Sequence, residues 1–303
     1  MMLATKESVA KLAIFAVSLL ILMKVAASIV TGSIAIRADA VHSAIDLFGI
    51  IIGYIGIRIS GKPPDEQHAF GHGKAENIAG AIIAGLILLA AGIIAYQAVE
   101  RLIAGGVVAM VTLGIYVTAA AIAINGIISW YALRVARATD SLALEATARD
   151  MLADVLSSGA VLVGLILVRL TGITILDPIV ALLVAIIIAR TAFLTMKKSF
   201  GGLMDIKLPQ AEEDEIIACI REHGAQLAGF HKIRTRKAGN QRYIDFHLVV
   251  PKGVSVEQAH QLCDELEQDI EIKLSYTSVT IHVEPCDGKC DQCSISPDLC
   301  QRT

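Results

Sequence analysis

The sequence predicts a six-helix membrane bundle followed by a small α+β domain, and three observations predict it. Six apolar blocks, each long enough to cross a bilayer, precede Pro209. The composition turns charged and amphipathic after Met204. The segments beyond that point follow the order α-β-β-α-β. Over 303 residues the chain is 55% hydrophobic and 18% charged, where a soluble domain carries about 25% charge. Its mean hydropathy is +0.64. A formal net charge of -3 excludes nucleic-acid binding by bulk positive charge. Disorder, collagen and a small disulfide scaffold are excluded by the same composition.

The apolar blocks run from Leu12 to Val30, Ile34 to Ile59, Ile78 to Val99, Val107 to Val135, Ala143 to Val168 and Ile173 to Met196. One such block could be a buried soluble helix; six in series point to transmembrane helices. The first block is too long for a signal peptide and no small-residue cleavage site follows it, so it reads as a retained helix. Lys6, Lys11, Arg58, Lys62, Lys74, Arg134, Arg137, Lys197 and Lys198 fall at helix ends on one side, against Arg37, Arg101 and Arg169 on the other. The positive-inside rule then puts both termini in the cytoplasm.

After the bundle, Glu212 to Glu222 reads as an amphipathic helix. Strand-like runs follow near Phe230–Arg236 and Tyr243–Val250, then a helix from Ser255 to about Lys273 with Ser255 as N-cap. A last strand covers Ser278–Glu284. A helix layer on a three-stranded sheet is the expected packing. The domains are therefore 1–208 in the membrane, 209–285 in the cytoplasm, and a Cys-rich tail, 286–303.

Charges inside a membrane helix cost at least about 2.5–3.5 kcal/mol each, so those present need a reason. The second helix carries His42 and Asp46, and the fifth carries Asp150 and Asp154. Each pair is spaced i,i+4 and shares one helix face. Facing each other, the pairs supply one imidazole nitrogen and three carboxylates, enough for a four-coordinate divalent cation. The competing reading is helix–helix hydrogen bonding to Ser43, Ser157 or Arg149, but two matching pairs lack an equal number of basic partners. Asp39 sits beside Arg37 and reads as an ion-pair or supporting residue. The loop Lys62 to Glu76 is shaped by Pro and Gly and holds Asp65, His68 and His72 at metal-site spacings. A solvated loop with incidental histidines is the alternative.

The motifs Ala38-Asp39-Ala40-Val41-His42-Ser43-Ala44-Ile45-Asp46, Pro64-Asp65 through His68-Ala69-Phe70-Gly71-His72-Gly73-Lys74-Ala75-Glu76, Asp150 to Asp154 with Ser157-Ser158, and Asp177-Pro178 resemble the cation diffusion facilitators. The resemblance extends from the first helix to about Glu284. It implies a homodimeric secondary transporter in the inner (cytoplasmic) membrane that exchanges cytoplasmic divalent metal for protons. It implies a transport site of His42, Asp46, Asp150 and Asp154 and a loop site of Asp65, His68 and His72. Lys74 with Asp205 matches an inter-subunit charge contact of that family. The cytoplasmic domain is implied to be ferredoxin-like and metallochaperone-like, with His231, His247, His260, His282 and Glu284 matching a binuclear regulatory site at the dimer interface.

One departure bears on the cargo. Common zinc members have His-x3-Asp on both helices, and some bacterial zinc/iron members have Asp-x3-Asp on the second and His-x3-Asp on the fifth. Here the histidine is on the second helix. The donor count still equals that of the zinc/iron type. An imidazole favours zinc, iron, copper and nickel over manganese. Zinc leads, with Fe2+, Co2+, Mn2+ and Cd2+ as alternatives.

Strand alternation supports the cytoplasmic site independently. Ile244, Phe246 and Leu248 share one face, opposite Asp245 and His247, and Val279, Ile281 and Val283 lie opposite His282 and Glu284. Six cysteines are present. Cys219 and Cys263 fall on the two soluble helices and read as small core residues. Cys286, Cys290, Cys293 and Cys300 could hold one zinc or another soft metal, an Fe–S cluster being the alternative. An intramembrane metalloprotease is disfavoured by the absence of His-Glu-x-x-His. A membrane-anchored sensor without transport has no use for costly intramembrane carboxylates. A passive channel differs in needing no proton gradient.

Overall fold

The computed structural model describes residues 5–31, 34–104, 112–171 and 175–286. The chain forms two compact units that divide at Gly201 and Gly202. The first unit holds α1 (Lys6–Thr31), α2 (Ile34–Ser60), α3 (Lys74–Ala104), α4 (Thr112–Thr139), α5 (Leu142–Thr171) and α6 (Leu176–Leu203), whose last turn reaches the boundary. Each is 26 to 31 residues long, enough for about 40 Å of helix. Among the described residues, α1, α3, α4 and α6 are long and apolar enough to span a membrane. The other two, α2 and α5, carry the polar pairs His42/Asp46 and Asp150/Asp154.

Around these two helices the bundle is assembled from small residues. The neighbouring pairs are α1–α2, α2–α3, α4–α5, α1–α4, α3–α5 and α2–α5. Val9, Ala10, Ile57, Ala79, Ala132, Val135, Ala136, Ala143, Leu144 and Ala148 form one apolar cluster across five helices. Packing in lipid rests on such close approach, because lipid tails are as apolar as leucine. Glycines bring α2 against its neighbours. A Cβ on Gly53 would lie 2.2 Å from Thr147 Oγ1, and one on Gly56 would lie 2.4 Å from Ala79 Cβ.

A buried charged node closes one end of the bundle. Glu76 in the first turn of α3 is fully buried. It pairs with Lys6 of α1 and accepts from Ser60 Oγ at 2.9 Å and Ser141 Oγ at 2.6 Å. Nearby, Asn77 Nδ2 donates to the Ser199 carbonyl of α6 at 3.2 Å.

The second unit holds α7 (Gln210–Glu222), β1 (Gly229–Ala238), β2 (Gln241–Val250), α8 (Val256–Lys273) and β3 (Thr277–Pro285). The sheet order is β1-β2-β3, with β1–β2 antiparallel and β2–β3 parallel. The parallel pairing follows from α8, which crosses over between the two strands. Ser255 caps α8 as its sequence predicts, in a capping box with Gln258. The core joins Ile216, Cys219 and Ile220 of α7, Ile244, Phe246 and Leu248 of β2, and Leu262, Cys263, Leu266 and Ile270 of α8. Val279, Ile281 and Val283 of the edge strand β3 are only partly covered by it. Cys219 and Cys263 are free, buried thiols, matching their expected role as small core residues. His223 closes α7 onto α8, with Nε2 2.9 Å from Asp269 Oδ2.

Candidate metal sites

The candidate site of the helical unit falls where α2 and α5 meet. Gly49 of α2 leaves room for Asp150: a Cβ there would sit 3.2 Å from Asp150 Oδ2. Asp46, Asp150 and Asp154 are all part-buried. The charges of Asp46 and Asp154 both bear on the Asp150 carboxylate. The three predicted carboxylates are thus near enough to act on one another, though among the described residues they are not one of the groups whose ligand atoms converge within 4.8 Å. His42 lies one turn before Asp46 on α2, but its side chain falls outside the described residues.

Of the three partners foreseen for a purely structural pairing, Arg149 and Ser43 have other contacts, and the side chain of Ser157 falls outside the described residues. Arg149 donates to Glu145, with Nη2 2.8 Å from Oε1, and Glu145 also accepts from Lys198 at 2.7 Å. Ser43 Oγ accepts from the buried Lys24 Nζ at 2.7 Å. One partner was not foreseen. Asn125 of α4 donates from Nδ2 to Asp154 Oδ2 at 2.9 Å. A lone asparagine in an apolar helix is the sequence signal that could have found it, since an intramembrane polar residue marks a site or an interhelical bond.

Among the described residues, two groups place their ligand atoms within 4.8 Å of one another: Asp65, His68 and His72, and His231, His247 and Glu284. Bonds of about 2.1 Å in a tetrahedron set ligand atoms about 3.4 Å apart, and both groups come close to that spacing. In the loop, His68 Nδ1 lies 3.1 Å from Asp65 Oδ1, and His72 Nε2 lies 3.3 Å from Asp65 Oδ2. Asp65 is aimed by main-chain N–H donors from Gln67 at 3.0 Å and His68 at 2.7 Å. The His68 main-chain bond does most to hold the Asp65 carboxyl below its ordinary range. Gly71, at φ +75°, closes the turn by donating to the His68 carbonyl at 2.8 Å. His72 Nδ1 is buried and has no hydrogen-bond partner among the described residues.

In the second unit the sheet register aligns three imidazoles. His231 of β1 pairs with His247 of β2, which pairs with His282 of β3. Their ring centroids lie 5.2 Å and 4.6 Å apart in turn. Glu284, two residues along β3 on the same face, gathers them. Its carboxylate lies 2.6 Å from His247 Nδ1, 3.2 Å from His231 Nε2 and 3.6 Å from His282 Nε2. The His247 contact chiefly holds the Glu284 carboxyl below its ordinary value. A bulge directly after His231, with Lys232 at φ +53°, breaks the β1–β2 register there.

His260 does not join this row within one chain. It is exposed on α8, 3.1 Å from Asp264, and α8 covers the opposite, apolar face of the sheet. Asp205 accepts from Arg236 Nη1 at 3.3 Å, and Lys74 belongs to the other unit. Cys286 is buried, its N–H donating to the Val250 carbonyl at 2.8 Å. Cys290, Cys293 and Cys300 lie outside the described residues.

Comparison with known proteins agrees with this layout. Residues 10–204 match the cation efflux transmembrane domain, and residues 208–286 match the cytoplasmic domain of cation efflux proteins. An uncharacterized transporter of Synechocystis is 34% identical over 263 residues, covering 87% of this chain and 85% of that protein. The cation-efflux pump FieF of Escherichia coli is 32% identical over 269 residues, covering 89% of each. Two solved structures of CzrB, one in its zinc form, are 40% identical but cover 26% and 28% of this chain, with TM-scores of 0.26 and 0.27. They cover 98% and 96% of their own chains. The chain belongs to the cation diffusion facilitator family and is a multi-pass membrane transporter of the cation efflux class, not an enzyme.

Proposed function

We propose that this protein exports zinc from the cytoplasm in exchange for protons, using His42, Asp46, Asp150 and Asp154 as the transport site. The observation that carries the reading is the juxtaposition of Asp46, Asp150 and Asp154 between α2 and α5. Three carboxylates in a low dielectric cannot all stay charged without a cation among them. Metal binding favours their deprotonated forms. Entry of a metal therefore releases protons, and protons arriving from outside help expel it. The inward proton gradient drives efflux by this competition.

The imidazole of His42 favours zinc over manganese, with Fe2+, Co2+ and Cd2+ as further cargo. The loop cluster Asp65, His68 and His72 is a second metal site outside the membrane helices. The His231, His247, His282 and Glu284 row is a regulatory site. His260 of a second subunit would complete it, which accounts for the position of His260 away from the row in one chain. Metal bridging two subunits would favour one arrangement of a homodimer over the other, and the effect is limited to the difference in metal affinity between those arrangements. Both termini lie in the cytoplasm, with the protein in the inner membrane. Lys74 and Asp205 form a charge contact between subunits, and the tail cysteines from Cys286 to Cys300 hold a soft metal.

The test is anaerobic uptake of zinc, Fe2+, Co2+ and Mn2+ by proteoliposomes. Zinc should lead, and Asp154→Ala should abolish flux while the protein stays folded. Full transport by Asp154→Ala would rule out the site. Flux led by another metal would keep the site and overturn the zinc assignment. No flux of any metal would shift the reading to a membrane-anchored sensor.

A further inference from the structure

Asn125 is a polar side chain on a third helix, α4, that touches the carboxylate cluster. It lies in the middle of α4 and is 6% exposed. Its Nδ2 donates to Asp154 Oδ2 at 2.9 Å. Its Oδ1, on the same amide carbon, is buried and has no hydrogen-bond partner among the described residues. A buried amide oxygen is normally paired, so one left over beside a ligand cluster is placed for a guest. Its helix is fixed against α5 one turn further on, where Ser129 Oγ donates to the Ala148 carbonyl at 2.8 Å. The amide is therefore held in place by a packed interface.

We propose that Asn125 is a specificity-determining residue of the transport site: its N–H orients Asp154, and its amide oxygen supplies a further hard donor to the travelling cation. The proposal rests on reading Asp46, Asp150 and Asp154 as that site. An amide oxygen is the donor type suited to manganese and other hard cations, whereas imidazole suits zinc. Zinc is satisfied by four ligands, which His42 and the three carboxylates supply. Ions that take five or six ligands need more. Asn125 thus widens the cargo from zinc toward Fe2+ and Mn2+. It does so from α4, outside the two helices that carry the paired ligands, so a specificity read from those pairs alone is incomplete.

The experiment compares full-length wild type, Asn125→Ala, Asn125→Asp and Asp154→Ala in proteoliposomes, using zinc and Mn2+ as probes. Asn125→Ala should raise the KM for Mn2+ by about tenfold or more, the loss typical when a partner of a metal ligand is removed. The zinc KM should move less. Asn125→Asp keeps an oxygen in place and should retain Mn2+ uptake, lowering the preference for zinc. Should Asn125→Ala fail to fold, the Asn125→Asp comparison decides alone, and an unchanged zinc-to-manganese ratio overturns the proposal. Equal loss of both ions in Asn125→Ala, or wild-type KM values throughout, also overturns it. If Asp154→Ala is inactive while Asn125→Ala keeps the wild-type ratio, only the role of Asn125 falls. If Asp154→Ala transports normally, the transport-site reading falls and this proposal with it.

Discussion

Gly53 holds α2 and α5 at the spacing the proposed transport site needs. A Cβ added there would lie 2.2 Å from Thr147 Oγ1, 3.3 Å from Ile83 Cδ1 and 3.5 Å from the Ala143 carbonyl oxygen. Ordinary contact begins at 3.4 Å, so Gly53→Ala must open the interface by about 1.2 Å or force Thr147 from its rotamer. Thr147 is β-branched and has few rotamers open to it in a helix. The strain expected is about 1–3 kcal/mol. Gly53 lies two turns beyond Asp46, and Thr147 lies one turn before Asp150. The wedge therefore acts on the separation of the two ligand pairs, where metal sites tolerate about 0.2 Å. We expect Gly53→Ala to raise the KM for zinc by about tenfold or more and to lower the melting temperature. Thr147 Oγ1 has no hydrogen-bond partner among the described residues, so its removal breaks no hydrogen bond there. Thr147→Ala alone should be near wild type, and Gly53→Ala/Thr147→Ala should recover most of the affinity. The assay is concentration-dependent uptake in proteoliposomes beside a thermal melt in detergent. Wild-type KM in Gly53→Ala, or no rescue by Thr147→Ala, would refute the reasoning.

Three other outcomes follow from particular contacts. Glu76→Ala strands the Lys6 charge and two hydroxyls; it should cost about 3 kcal/mol, the low end for a broken buried pair because Lys6 keeps some solvent, and a denaturation series in detergent measures it. The bond from Lys207 chiefly holds the Glu213 carboxyl below its ordinary value of 4.5. Its folded value is thus below its unfolded one, so its contribution is full above about pH 4.5 and is lost as pH falls through the folded value; Glu213→Gln should flatten the acid side of the stability curve. His247→Ala/His282→Ala should change how transport depends on cytoplasmic-side metal, and an unaltered dependence in flux assays would sink the regulatory site.

How much was legible in the sequence varied with the physics behind each feature. The helices of the bundle were plain because 20-residue apolar blocks have few other uses. The cytoplasmic elements were plain because the periods of Ile244, Phe246 and Leu248 and the Ser255 cap are local signals. Spacing alone paired Asp150 with Asp154, since i,i+4 fixes a face. The row His231–His247–His282 needed a strand register that spans fifty residues of sequence: alternation put His247 and His282 on the polar faces of their strands, and only the resemblance added His231 to them. The bulge after His231 depends on tertiary pairing and left no local trace. Asn125 and Gly53 escaped notice because each becomes informative only when a neighbouring helix is in place. A glycine in an apolar helix and the glycine that admits Thr147 look identical in sequence.

The central claim is that metal and protons compete for one intramembrane site. Its most direct test records internal pH and zinc together in proteoliposomes loaded with a pH-sensitive dye. The account predicts that each pulse of zinc uptake moves protons out of the vesicle, that an opposing proton gradient slows uptake, and that Asp154→Ala abolishes both signals together. Zinc uptake with no accompanying proton movement, or uptake indifferent to the imposed gradient, would contradict it.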